Sequence, residues 1–187
     1  MSIVMSRALN RAWAIPLAFV IGVLALWQGL VVGLAIPEYL LPAPLVIVET
    51  LDRSLLTEIA YTAGEALCGF VIASGLAFAA AIAFVRFRTM RADPAQIFRK
   101  LRIPYCLPYF FSALKISSSL AIVGAIVGEF VGAEHGLGYL IVISSAHLET
   151  PTVFQAIGAA ALIGIAMFYL LEWVEKRVVF WAQVELE

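Results

Sequence analysis

The chain has 187 residues, of which 63% are hydrophobic and 13% charged, with a net charge of −1 and a mean hydropathy of +1.00. A soluble domain carries about 45–50% apolar and roughly 25% charged residues. A wholly water-facing globule is therefore excluded, and lipid must be part of the solvent. Two cysteines, Cys68 and Cys106, with no CxxC or Cys/His cluster, point away from a disulfide framework or a zinc site.

A membrane crossing needs about 20 predominantly apolar residues, and four stretches qualify. The first runs over 13–36, interrupted by Pro16 and Gln28. Its apolar region is too long for a cleavable signal, whose hydrophobic core spans about 7–15 residues, so it is read as an anchor. The second runs over 66–85 without a charge, the third over 109–132 with Lys115 and Glu129 near its two ends, and the fourth over 152–171 with Gln155 as its strongly polar residue. Between the last two, 136–148 is apolar but short, which suits a re-entrant or packed segment better than a crossing. The expectation is an all-α, polytopic transmembrane helical bundle forming a single domain over 1–187.

Orientation follows from Lys and Arg. Arg7 and Arg11 precede the first span, and Arg86, Arg88, Arg91, Arg99, Lys100 and Arg102 lie between the second and third. Lys176 and Arg177 follow the fourth, while the two remaining loops hold Arg53 alone among acids and histidines. By the positive-inside rule both termini and the basic stretch face the cytoplasm.

The basic stretch has its own internal order. Asp93-Pro94 is a helix-start pair, with Asp at the N-cap and Pro at the first helical position, and Gln96 completes a capping-box spacing. Pro104 is expected to close this helix, since the residue before a proline leaves the α region. The result is a short amphipathic cytoplasmic helix over 94–103. Ile97, Phe98 and Leu101 lie on one side, and Gln96, Arg99, Lys100 and Arg102 on the other. Such a helix can lie on anionic lipid or set its apolar face in a partner's groove; both uses need the same residues.

In the third span Gly124, Gly128 and Gly132 are spaced four apart, a pattern repeated by Ala156, Ala160 and Gly164 in the fourth. Small residues let helices approach closely in lipid, within one chain or at a dimer interface. Glu129 follows Ser117, Ala121 and Ala125 at four-residue intervals. Intramembrane acids usually face protein or water, so Glu129 is either structurally paired or, with Ser117, a candidate for a translocation path. Lys115 stands about 21 Å from Glu129 along a helix, too far to pair with it, and is expected to snorkel. The glycines of "GAEHGLG" (Gly132 to Gly138) lack the phosphate-loop pattern and are read as a tight turn. Nothing forms a catalytic set, a metal site or a cofactor box.

"DPAQIFRKLRIPYCLP" (Asp93 to Pro108) resembles the second half of the cytoplasmic loop in permease subunits of binding-protein-dependent ABC importers. "VGEFVGAEHGLGYLI" (Val127 to Ile141) and "LPAPLVIVETL" (Leu41 to Leu51) resemble stretches of the nitrate/sulfonate/taurine branch. The resemblance implies an inner-membrane subunit that carries out no chemistry and binds no cofactor. It moves a small solute delivered by an external binding protein, while ATP is hydrolysed on a cytoplasmic ATP-binding subunit. The helix over 94–103 would be the coupling helix. Contact with that partner would fall to Ala92, Asp93, Pro94, Gln96, Ile97, Phe98, Arg99, Lys100, Leu101 and Arg102. A second permease copy and membrane lipid are the other implied partners; nucleic acid is not. Two features depart from the family. The Glu-Ala-Ala head of the loop would fall on Val85, Arg86 and Phe87, and two of about six spans are missing near 88–90. The alternatives are an internally deleted remnant that does not transport, or a small adaptor whose basic helix binds lipid.

Overall fold

The computed structural model describes residues 2–88 and 103–179, with side chains described for 15–83 and 105–179. The docking helix expected over 94–103 falls almost wholly outside the described residues. In chain order the elements are α1 (Ser2–Gly33), α2 (Pro44–Glu49), α3 (Ser54–Arg88), α4 (Ile103–Gly132), α5 (Leu137–Ala146) and α6 (Thr150–Val178). No strand occurs among the described residues. Among the described residues four helices contain stretches long and apolar enough to cross a membrane, Ile15–Gly33, Ser54–Ala83, Tyr105–Gly132 and Thr150–Val178. The all-α polytopic expectation holds.

The helix limits differ from the expected spans in ways that matter. α3 begins at Ser54, not near 66, because Leu55, Ile59, Thr62, Ala66 and Phe70 already follow the helical repeat. Glu58 and Glu65 are therefore helix residues, not loop residues. α4 begins at Ile103, so Pro104 lies in its first turn. A proline is tolerated in the first turn because the N–H it lacks has no intrahelical partner there. Pro108 lies inside α4, and its carbonyl accepts a bond from the Ser112 hydroxyl at 3.0 Å. α6 continues past 171 to Val178, carrying Glu172, Glu175, Lys176 and Arg177 in its last turns. There Lys176 Nζ meets Glu172 Oε1 at 2.6 Å, one turn away, and Arg177 lies 4.2 Å over the Trp173 ring.

The chain folds as two compact units, residues 1–52 with 143–155, and residues 53–142 with 156–187. In the first, polar span residues are used to tie backbone. Gln28 Oε1 accepts the Leu45 N–H at 3.2 Å. Gln155 Nε2 donates to Ile47 O at 2.7 Å and Thr50 Oγ1 at 2.8 Å. Thr150 Oγ1 donates to Tyr39 O at 2.6 Å, and Trp27 packs on Phe154 with centroids 5.7 Å apart. Each bond answers the cost of leaving an amide or hydroxyl unpaired in an apolar medium.

In the second unit α3 and α4 pack together. One core is built from Ala66, Phe70, Ile122, Met167 and Leu171, with Ala121 and Ala125 against it. A second is built from Leu55, Leu137, Ala156 and Ala159, with Ala160 packed on its edge. The small residues of α6 are thus used within the unit: Ala156 is fully buried, and a Cβ on Gly164 would lie 3.5 Å from Ile122 Cδ1. The glycines of α4 behave differently. A Cβ on Gly124, Gly128 or Gly132 would meet nothing within 4 Å, so close approach inside the unit is not what they serve.

Candidate functional site

The polar centre of the second unit is built around the start of α5. An α-helix begins with backbone N–H groups that have no partner within it, and here two helices, α3 and α4, supply acceptors. Leu137 N donates to Thr62 Oγ1 of α3 at 2.8 Å. Gly138 N donates to Glu129 Oε2 of α4 at 2.5 Å. Gly136 N donates to Glu58 Oε2 of α3. Thr62 Oγ1 passes its own hydrogen to Glu129 Oε1 at 2.6 Å. A relay therefore runs from the Leu137 amide through a hydroxyl to a carboxylate, and both oxygens of Glu129 are engaged. Glu129 is 3% exposed and Thr62 is fully buried. The partial positive charge at a helix N-terminus favours carboxylates placed there.

Two glycines make the approach possible. Gly136 has φ +110°, a conformation L side chains rarely adopt, and a Cβ there would run into the Glu129 carboxylate. A Cβ on Gly138 would lie 2.6 Å from Ile126 O and 2.9 Å from Glu129 Cβ. The tight-turn expectation for "GAEHGLG" is met at Gly136. On the exposed side of the node His135 stacks on Tyr61, with centroids 4.7 Å apart and rings 9° from parallel. Its Nδ1 stands 3.5 Å from Glu58 Oε1.

The structure separates the two residues proposed for a shared path. Glu129 is buried, whereas Ser117 is exposed. Steps of four advance 400° around a helix of 3.6 residues per turn, so three steps drift about 120°. Ala121 and Ala125 still face the core, but Ser117 has rotated out; Ser118 is the buried serine, donating to Lys115 O at 2.7 Å. Lys115 does not stand alone as a snorkelling cation. It forms an ion pair with Glu175 of α6, with its Nζ 5.7 Å from the Phe168 ring centroid.

Glu58, Thr62 and Glu175 were not among the expected site residues. The apolar-run criterion set Glu58 and Glu175 outside the spans because carboxylates ended the run. The helical spacing of Leu55, Ile59, Ala66 and Phe70 was the available signal for α3, since it places Thr62 on the same inward face.

Four apolar helices with paired polar groups between them define a polytopic helical membrane protein. The chain belongs to the family of binding-protein-dependent transport system inner membrane components, whose model matches residues 86–180, just over half its length. A probable ABC transporter permease protein of Haemophilus influenzae is 33% identical over 93 residues, 50% of this chain and 38% of that protein. The formylaminopyrimidine transport permease protein ThiX of Halalkalibacterium halodurans is 38% identical over 95 residues, covering 51% and 38%. The riboflavin transport system permease protein RibX of Chloroflexus aurantiacus is 37% identical over 90 residues, covering 48% and 34%. The chain therefore aligns with little more than a third of the length of these relatives. No solved structure matches it.

Proposed function

We propose that this chain is the membrane-spanning permease subunit of an ABC importer, carrying a small organic solute handed over by an external binding protein. The observation that carries this is the family match over 86–180, which begins at the basic stretch and runs through α4, α5 and α6. ATP hydrolysis falls to a cytoplasmic partner, and the helix over 94–103 is its docking element, with Ile97 and Phe98 as the apolar contact. Both termini face the cytoplasm, which puts the Glu58–Glu129 node at the outer end of α3 and α4. The solute class rests on likeness to permeases named for formylaminopyrimidine, riboflavin and aliphatic sulfonates. A second copy of the chain is the partner for the open glycine face of α4, where small residues permit close helix contact.

One observation favours the non-transporting alternative. Val85, Arg86 and Phe87, where the loop head would fall, lie within the continuous helix α3. Pull-down in mild detergent from native membranes decides between the two. Recovery of an ATPase subunit with the natural chain, and its loss with Ile97→Asp/Phe98→Asp, is the expected result. A folded, abundant chain that recovers no ATPase would leave the remnant.

A further inference from the structure

The connection between α1 and α3 is folded back against α1 and the start of α6. At the end of α1 the chain reverses: Ala35 takes a left-handed φ of 48°, and the Ile36 N–H returns to Val31 O at 3.1 Å, the six-to-one bond that closes a helix. Pro42 and Ala43 are then buried, and both ends of α2 are held from the side. Gln28 Oε1 of α1 takes the Leu45 N–H, while Gln155 of α6 binds Ile47 O and Thr50 Oγ1. Each glutamine sits five residues inside its helix, Gln28 from Gly33 and Gln155 from Thr150. At 1.5 Å per residue that is about 7–8 Å from the helix end, and both glutamines belong to stretches apolar enough to cross a membrane. α2 is thus fixed alongside the ends of the spans, not beyond them.

The side of α2 turned away from these bonds is apolar. Leu45 is 59% exposed and Val48 63%, and at three residues apart they share a face. Leu40 and Leu51, just outside the helix, are exposed as well. On α1, Leu24 and Val32 stand one turn either side of Gln28 and are exposed too, so the strip on α2 continues the lipid-facing surface of a crossing helix. Glu49 is exposed beside Leu45 and sets a limit. Its carboxylate needs the headgroup layer, so α2 lies at the boundary and no deeper. An interfacial helix buries its apolar face about 5–10 Å into the boundary between headgroups and acyl chains, a range that includes the depth of the two glutamines. We propose that residues 40–51 form a membrane-interface element: lipid covers Leu45 and Val48, and Gln28 and Gln155 hold α2 at that depth. The reading is independent of transport and of which leaflet the Gly33 end of α1 reaches.

Spin labels on the full chain, in lipid nanodiscs holding a single copy, test this directly. Cys68 and Cys106 are exposed, so the background is Cys68→Ser/Cys106→Ser, into which Leu45→Cys, Val48→Cys, Leu26→Cys or Glu134→Cys is placed for labelling. Leu26 is exposed within the span of α1, and Glu134 is exposed in the turn before α5, so these two serve as the lipid and water references. Oxygen collects in hydrocarbon, whereas a polar nickel chelate stays in water. The ratio of oxygen to chelate collisions at Leu45→Cys and Val48→Cys should exceed that at Glu134→Cys by about tenfold and approach that at Leu26→Cys. A ratio equal to that at Glu134→Cys overturns the proposal and leaves the strip to a soluble partner. So does a high ratio that appears only with two copies in a disc, which would assign the strip to a second chain. The natural chain supplies a second reading without any substitution. A phospholipid with a photoreactive diazirine in its acyl chain should mark 40–51 as it marks 15–33, and marking of 15–33 alone overturns the proposal.

Discussion

Replacing Gly138 by alanine tests the packing of the α5 start most sharply. The new Cβ would lie 2.6 Å from the backbone oxygen of Ile126 and 2.9 Å from both Cβ and Oε2 of Glu129. A backbone carbonyl inside α4 cannot swing aside as a flexible side-chain tip can, so the first turn of α5 must move. Overpacking of this kind costs about 1–3 kcal/mol. The movement also stretches the Gly138–Glu129 bond, and a buried group left short of a partner costs about another 1–3 kcal/mol. Alanine returns about 1 kcal/mol through helix propensity, leaving a net loss of about 3 kcal/mol. For a chain of this size that is roughly 6–12 °C in apparent Tm, followed by tryptophan fluorescence in detergent. Gly69→Ala in α3 is the control, since a Cβ there meets nothing within 4 Å; its Tm should stay level or rise by a few degrees. A Gly138→Ala chain that melts with the control would show that α5 is not seated against Ile126 and Glu129 as described.

Two further outcomes follow from the remaining helix contacts. Lys115 and Glu175 are each 20% exposed, so Lys115→Met should cost about 1–2 kcal/mol by leaving the carboxylate half-buried without its cation. The double variant Lys115→Met/Glu175→Met should recover most of that loss; an additive cycle would remove the pair from the stability of the unit. Gly128→Leu should leave the monomer's stability within about 1 kcal/mol of the natural chain, because the position is open. It should weaken self-association in liposomes by about tenfold or more, and unchanged energy transfer between labelled copies would exclude that face as the contact between copies.

How much was legible differed residue by residue. Four apolar segments and their Lys/Arg bias are properties of composition along the chain, and hydrocarbon enforces them whatever the packing, because every backbone group in lipid must be satisfied inside a helix. Gly136 was legible as a turn glycine for a similarly local reason, its positive φ. Glu129 was legible as an acid in need of company, but not as the acceptor for Gly138, nine residues on, or for Thr62, 67 residues back. The apolar run over 66–85 stops at Glu65, whereas α3 extends back through Glu65 and Glu58 to Ser54, with the Glu58 carboxylate meeting the amide of Gly136.

By itself, the sequence determined the all-helical membrane class, the number of long apolar helices and the family, since these depend on local chemistry repeated over tens of residues. Which small-residue stripe packs inside the chain was decided only by tertiary structure: Gly164 of α6 meets Ile122, while the glycines of α4 stand open. The partners of the ionisable groups were decided there too, Lys115 with Glu175 and Glu129 with Thr62 and the α5 amides. A charge in an apolar medium must be paired wherever a partner can reach it, and reach is set by how helices distant in sequence lie against each other.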